Sequence, residues 1–300
     1  MTGAPLGAGR ADQPAPTCCI NPLPRELLLD VFVNAPAARA ATRETDRVAR
    51  IETPQRVSLL GLPIDALTMD GTVEAARTMV RSRGPHQHVG INAALLVESE
   101  RNADLRRAIS ECELISADGI SAVLAGRLFG VRLPERVAGV DLFLRLIAAA
   151  HQDDSSVYFL GATDEVVQRV VAVFRERYPG LRVAGYRNGY WDDDQAVVGA
   201  VRAAHPDYLF VAMPSPRKEL WLNQYLDELG VPFAMGVGGS FDVVAGKVRR
   251  APTWVQRVGF EWLWRLGQEP RRMWRRYLFS NAAFMRSLAR EYWRTRLANR

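Results

Sequence analysis

Cysteine is scarce in this chain: there are three in 300 residues, two of them adjacent at Cys18 and Cys19 and the third at Cys112. They form no CxxC pair and no even framework, which argues against a disulfide scaffold or a zinc cluster and for a reducing compartment. Histidine is equally sparse, and His86, His88, His151 and His205 show no metal-ligand spacing beyond one HxH, so none is given a role. No stretch approaches the roughly 18 uncharged apolar residues of a membrane-spanning helix, and residues 1–24 lack the basic start and apolar core of a secretion signal. Neither GxGxxG nor GxxxxGK[ST] occurs, so a dinucleotide oxidoreductase or P-loop nucleotidase loses its main support.

What is present is an ordinary globular composition, 48% hydrophobic and 24% charged, in a length that suits one large or two ordinary domains. The net charge of +6 is unevenly spread. Residues 247–300 carry one lysine and thirteen arginines against Glu261, Glu269 and Glu291, a net of +11, which leaves −5 for the other 246 residues. A mildly acidic body with a strongly basic end points to an anionic partner bound at that end.

Three segments follow. Residues 1–50 are rich in Ala, Pro and Arg and read as a mostly disordered leader. Residues 55–246 alternate short apolar runs, near 57–60, 87–91, 113–116, 156–160, 181–186, 207–212 and 232–236, with longer helical patterns. That alternation predicts an α/β fold with a mainly parallel, Rossmann-like sheet and helices on both faces. Asp70 or Thr72 is expected to cap a helix ending near Arg83, and Thr163 a helix ending before Pro179 and Gly180. Residues 247–300 form a helical appendage rich in Trp and Arg.

In an open α/β sheet, ligands bind beyond the carboxyl ends of the strands, so the polar and glycine residues placed there carry the argument. They are Asn92, Asp118, Gly119, Gly161, the segment 214–219, Gly236, Gly238 and Gly239. Asp118 ends an apolar strand, where a general base would be mounted; spacing alone equally allows a cap for the helix opening near Gly119. The glycines after the last strand would let backbone N–H groups approach a diphosphate. Asp192, Asp193 and Asp194 suit the first turn of an exposed helix better than a metal site.

The appendage holds five of the seven tryptophans. Trp254, Val258, Trp262 and Leu266 recur every four residues up to Pro270. Arg271, Arg272, Arg275 and Arg276 then oppose Met273, Trp274, Tyr277 and Leu278. After Asn281 a further helix sets Phe284, Leu288 and Tyr292 against Arg286, Arg290 and Arg294. Trp and Arg on opposing helix faces predict association with an anionic membrane surface, with a packed hairpin or a nucleic-acid patch as competing readings; the expectation here is no nucleic acid.

The ordered blocks at Asn92, 116–119, 134–141 (Pro-Glu-Arg-Val-Ala-Gly-Val-Asp), 159–161, Pro206 with Asp207, 215–221, 236–242 and 249–264 resemble the WecG/TagA/CpsF family of bacterial glycosyltransferases over roughly residues 55–285. The resemblance implies a cytoplasmic enzyme, peripheral on the inner face of the cell membrane, with a Rossmann-like fold and no obligatory metal or cofactor. It implies inverting transfer of a hexose or N-acetylhexosamine from a UDP-sugar to a polyprenyl-pyrophosphate-linked sugar during cell-surface polysaccharide synthesis. By the same resemblance Asp118 is the catalytic base. Substrate contacts would come from Asn92, Gly119, Arg136, Asp141, Gly161, Lys218, Glu219, Gly236, Gly238, Gly239, Asp242, Arg249 and Arg250. Two positions depart from the family pattern: Gly90 stands where Thr is common, and Lys218 where Gln is. The alternative of another class is a non-catalytic nucleotide-binding module that docks through its basic tail.

Overall fold

The computed structural model describes residues 55–252, 254–255, 261–268 and 270–298, without the side chains of 265, 270–279, 295, 296 and 298. The expected leader, Val258 and the side chains of the 271–278 stripe therefore lie outside the described residues.

Eight strands form two sheets. A hairpin of β1 (Arg56–Leu59) and β2 (Leu62–Asp65) is antiparallel. The other six are β3 (Gln87–Ile91), β4 (Leu114–Ala117), β5 (Ser156–Gly161), β6 (Arg182–Arg187), β7 (Tyr208–Ala212) and β8 (Phe233–Gly236). They make one sheet in the order β4-β3-β8-β7-β5-β6, with every neighbouring pair parallel. All seven expected strands are present within a residue or two, and β2 is additional.

Parallel pairing requires crossovers, and helices supply them on both faces. One face carries α1 (Met69–Ser82), α5 (Gly139–Gln152), α6 (Asp164–Arg177) and the short α9 (Ser240–Val244). The other carries α2 (Ala93–Arg101), α3 (Ala103–Ser110), α7 (Asp194–Ala204) and α8 (Arg217–Leu229), with α4 (Ile120–Leu128) beside the hairpin. Thr163 caps α6 as expected, accepting from the Val166 N–H, but α1 is capped by Thr68, which accepts from the Gly71 N–H, and not by Asp70 or Thr72. Asp193 caps α7, so the acidic run serves a helix start. The first-face core centres on Phe143, whose ring meets Phe210 at 4.8 Å and Phe174 at 5.5 Å, edge to face.

Two buried carboxylates brace the sheet, one at its β4 edge and one between β5 and β7. Asp65 takes both arms of Arg56 at 2.8 and 3.0 Å and accepts from the Ile115 N–H at 2.8 Å, sealing the β4 edge with the hairpin. Asp207 accepts from the N–H and hydroxyl of Ser156 at 2.7 and 2.9 Å and pairs with Arg83. Burial alone would push the Asp207 carboxyl up; the Ser156 and Arg83 bonds outweigh it and hold it below the ordinary range. Asp207→Ala leaves the buried Ser156 donors unpaired and should cost about 2–4 kcal/mol in urea unfolding at neutral pH. Because the folded carboxyl is depressed, that difference should be present above the ordinary carboxylate pKa of about 4 and fade as pH falls below it. Equal unfolding midpoints at pH 7 would refute the role.

The tail is also helical. After α10 (Glu261–Gln268), Pro270 starts one uninterrupted helix, α11 (Pro270–Ala298), instead of the two segments expected either side of Asn281. No proline or glycine lies between 271 and 298 to break it. Its second half packs on α2, burying Ala283, Phe284 and Leu288 in the core of the second face, while Ser287 donates to Glu100 and Arg290 pairs with it.

Candidate active site

Asp118 follows β4 and Asn92 follows β3, so parallel pairing places both at the carboxyl edge of the sheet. Asp118 does not cap α4. Gly119 occupies that position with no side-chain cap bond, whereas Asp118 Oδ1 accepts from the Gly139 N–H, at the start of α5, at 2.7 Å. The cap alternative is thereby set aside. Burial pushes the Asp118 carboxyl up, Glu261 adds to the rise, and the Gly139 bond and Arg136 oppose it without cancelling it. A carboxylate whose proton affinity is raised is better suited to take a proton near neutral pH.

The space around this carboxylate depends on glycine. A Cβ at Gly90 would stand 3.1 Å from Asp118 Cβ, and one at Gly119 would stand 3.3 Å from Asn92 Cβ. Asn92 uses its side-chain oxygen to cap α2 through the Leu95 N–H. Beneath Asp118 on the same sheet face, His88 Nε2 lies 2.9 Å from Ser116 Oγ. Burial, with Lys218 second, lowers His88 to about 3, so it is neutral near pH 7.

Beside Asp118 a charge network joins body and tail. Arg136 Nη1 is 2.5 Å from Glu261 of α10, and Arg250 Nη2 is 2.7 Å from Asp141 of α5. Glu261 reaches toward Arg250 as well, at 3.8 Å from Nε, and that buried Nε has no hydrogen-bond partner among the described residues. Gln268 braces the arrangement by bonding both the N–H and the carbonyl of Arg249.

The remaining expected residues lie elsewhere along the carboxyl edge. Lys218 runs back over Gly236, where a Cβ would meet its side chain at 2.8 Å, and its ammonium is taken by Glu219 and Ser215. Lys218 is therefore already neutralised by its neighbour, and Glu219 is a buried ion-pair partner. Gly238 adopts φ +51°, Gly239 opens α9, and Asp242 accepts from Lys247 and Val248 through its backbone carbonyl. Crossovers leave β5 and β7 in opposite directions, so the topological switch point lies between their ends. There Gly161 has φ +120° and a Cβ would stand 2.5 Å from the Ala212 carbonyl, so backbone alone floors the crevice.

Asn92, Asp118, Gly119, Arg136, Asp141 and Arg250 thus share one neighbourhood. Lys218, with Glu219 beside it and Gly236 against its stem, lies near enough for its charge to act on Asp118, and Gly161 stands at the switch point. Sequence reasoning missed Gly139 and Glu261, the latter a lone acid inside the basic tail. A groove of about 620 Å³ opens beside Asn92, lined among others by Leu95, Arg101, Ser215, Pro216 and Arg286. Among the described residues no three His, Cys, Asp or Glu side chains gather as a metal-ligand set.

A parallel six-stranded sheet with helices on both faces defines a Rossmann-like α/β protein. The chain belongs to the glycosyl transferase WecG/TagA/CpsF family, whose profile matches residues 57–298. It is 36% identical over 190 residues to the N-acetylglucosaminyldiphosphoundecaprenol N-acetyl-beta-D-mannosaminyltransferase of Bacillus spizizenii, covering 63% of this chain and 74% of that one. The equivalently named protein of Bacillus subtilis is 35% identical over 188 residues, covering 63% and 73%. That of Staphylococcus aureus is 31% identical over 238, covering 78% and 92%.

Proposed function

We propose that this protein is an inverting glycosyltransferase that moves an N-acetylhexosamine-type sugar from a UDP-sugar to a polyprenyl-diphosphate-linked sugar in cell-surface polysaccharide synthesis. The observation that carries the reading is Asp118, a carboxylate at a strand's carboxyl end, pushed up by burial and next to Arg136. Family membership and the names of the bacterial relatives support the lipid-linked acceptor.

The chemistry balances with these residues. The acceptor hydroxyl oxygen bonds to the donor's anomeric carbon as that carbon's bond to the diphosphate oxygen breaks, and Asp118 takes the hydroxyl proton. Negative charge then grows on the departing diphosphate, where Arg136, Arg250 and the N–H groups of the Gly236, Gly238 and Gly239 turn would act. Exposed Trp254, Leu263, Trp264 and Trp293 of the tail, interleaved with arginines, would bring the body to an anionic inner membrane surface where such an acceptor resides. No helix among the described residues is long and apolar enough to cross a membrane.

The test incubates a panel of UDP-sugars with polyprenyl-diphosphate-linked acceptors and reads products by mass. Transfer from one of them is expected. UDP binding with no transfer to any acceptor would favour the non-catalytic nucleotide-binding module instead.

A further inference from the structure

We propose that Glu261 is an internal stand-in for a phosphoryl group, occupying an anion subsite formed by Arg136 and Arg250, and that a diphosphate entering this subsite displaces it and loosens α10. The inference rests on the proposed reading of Arg136 as a diphosphate contact and goes beyond it in naming what fills the subsite first.

The fit of Glu261 to the two guanidinium groups is unequal. One carboxylate oxygen sits 2.5 Å from Arg136 Nη1; the other stops 3.8 Å short of Arg250 Nε, beyond hydrogen-bond range. Arg250 is well buried, with 8% of its side chain exposed; its Nη2 is paired with Asp141, but its Nε has no hydrogen-bond partner among the described residues. A buried N–H without an acceptor is a standing cost, and natural structures leave few of them. A planar carboxylate offers two oxygens in one plane. A diphosphate offers non-bridging oxygens in tetrahedral arrays on two phosphorus atoms, not confined to one plane, which can engage Arg136 and still supply an acceptor to Arg250 Nε.

The side chain that yields is mounted where its movement has consequences. Glu261 begins α10, which joins the body also through Gln268 and the Arg249 backbone. The two charge contacts of Glu261 with Arg136 and Arg250 and the neutral Gln268 clamp together fasten this helix over the Asp118 neighbourhood. Losing the first set would weaken the hold of the body on the start of this helix. Arrival of a diphosphate beside Asp118 thereby becomes coupled to freedom of the tail.

The diphosphate could belong to the nucleotide donor or to the prenyl acceptor, and the experiment separates them. Full-length protein and its Glu261→Gln variant are titrated with inorganic pyrophosphate, UDP and a short prenyl diphosphate by calorimetry, and amide exchange across residues 261–268 is followed by mass spectrometry with and without each. Glu261→Gln should bind pyrophosphate roughly three- to tenfold more tightly, the scale of losing one partly exposed ion-pair competitor. In the unsubstituted protein exchange across 261–268 should rise on adding pyrophosphate, and in the variant it should already be high. UDP alone raising exchange assigns the subsite to the donor; the prenyl compound alone assigns it to the acceptor. Gln268→Ala tests the coupling, because it loosens α10 without altering charge: exchange should rise and, by linkage, pyrophosphate should bind more tightly than to the unsubstituted protein, whereas raised exchange with unchanged affinity would overturn the coupling. Equal or weaker pyrophosphate binding by Glu261→Gln, with UDP binding and transfer intact in the unsubstituted protein, overturns the inference alone. Failure of that protein to bind any of the three compounds overturns the diphosphate reading of Arg136 as well.

Discussion

Asp118→Asn is expected to lower turnover by roughly 10²–10⁴-fold, the range seen when a general base is removed, while UDP affinity changes little. The substitution is discriminating because the amide oxygen can still accept from the Gly139 N–H. The start of α5 therefore keeps its anchor, and the melting temperature should move by no more than a few degrees. Loss of activity with the fold retained isolates proton transfer from structural support. The pH profile supplies a second readout. Burial raises the Asp118 carboxyl above the ordinary value near 4, and the base works only when ionised. The acid limb of kcat/KM should accordingly fall above pH 4, and it should be absent from the residual activity of Asp118→Asn. Turnover within twofold of the unsubstituted enzyme would reduce Asp118 to a tether for α5.

How much of this site could be read from the sequence depends on the range of the interaction concerned. The strands were legible because their apolar runs are buried on both faces, as in β5 and β7, where every residue is buried. β2 escaped notice because its second residue is Pro63, which argues against a strand unless the strand lies at a margin, as this one does. The α1 cap was misplaced by two to four residues because Thr68, Asp70 and Thr72 are all cap-competent and only geometry selects Thr68.

The charged residues follow the same rule. Asp118 was visible because strand-end position is a local property. Lys218 was expected among the substrate contacts, at a position where the family commonly has Gln. Here the missing side chain at Gly236 gives it room to fold back onto Glu219 and Ser215. Glu261 was lost in the net charge of the tail. Its partners, Arg136 and Arg250, are 125 and 11 residues away, and no pattern in the chain joins them.

The tail is also where the second large effect is expected, and the packing of α11 changes how it must be tested. Deleting residues 247–300 would remove the basic charge together with Ala283, Phe284 and Leu288, which close the core against α2. Any loss of membrane binding would then be confounded with exposure of that core. Trp254, Leu263 and Trp264 are 68%, 50% and 38% exposed, so replacing all three with serine removes apolar surface without opening the core. Full insertion of such a side chain into an apolar phase is worth about 1.5–3 kcal/mol, so even shallow insertion of three should change partitioning at least tenfold. The arginines act separately: each contributes at most about 1 kcal/mol near an anionic surface, and salt screens that share. In co-sedimentation with anionic vesicles the unsubstituted protein should weaken as salt rises but retain a resistant fraction, and the triple variant should lose that fraction. Equal pelleting of both at high salt would show that these side chains do not enter the bilayer surface. Duplex DNA stripping the protein from vesicles at low salt, without any sugar transfer, would assign the basic tail to nucleic acid instead.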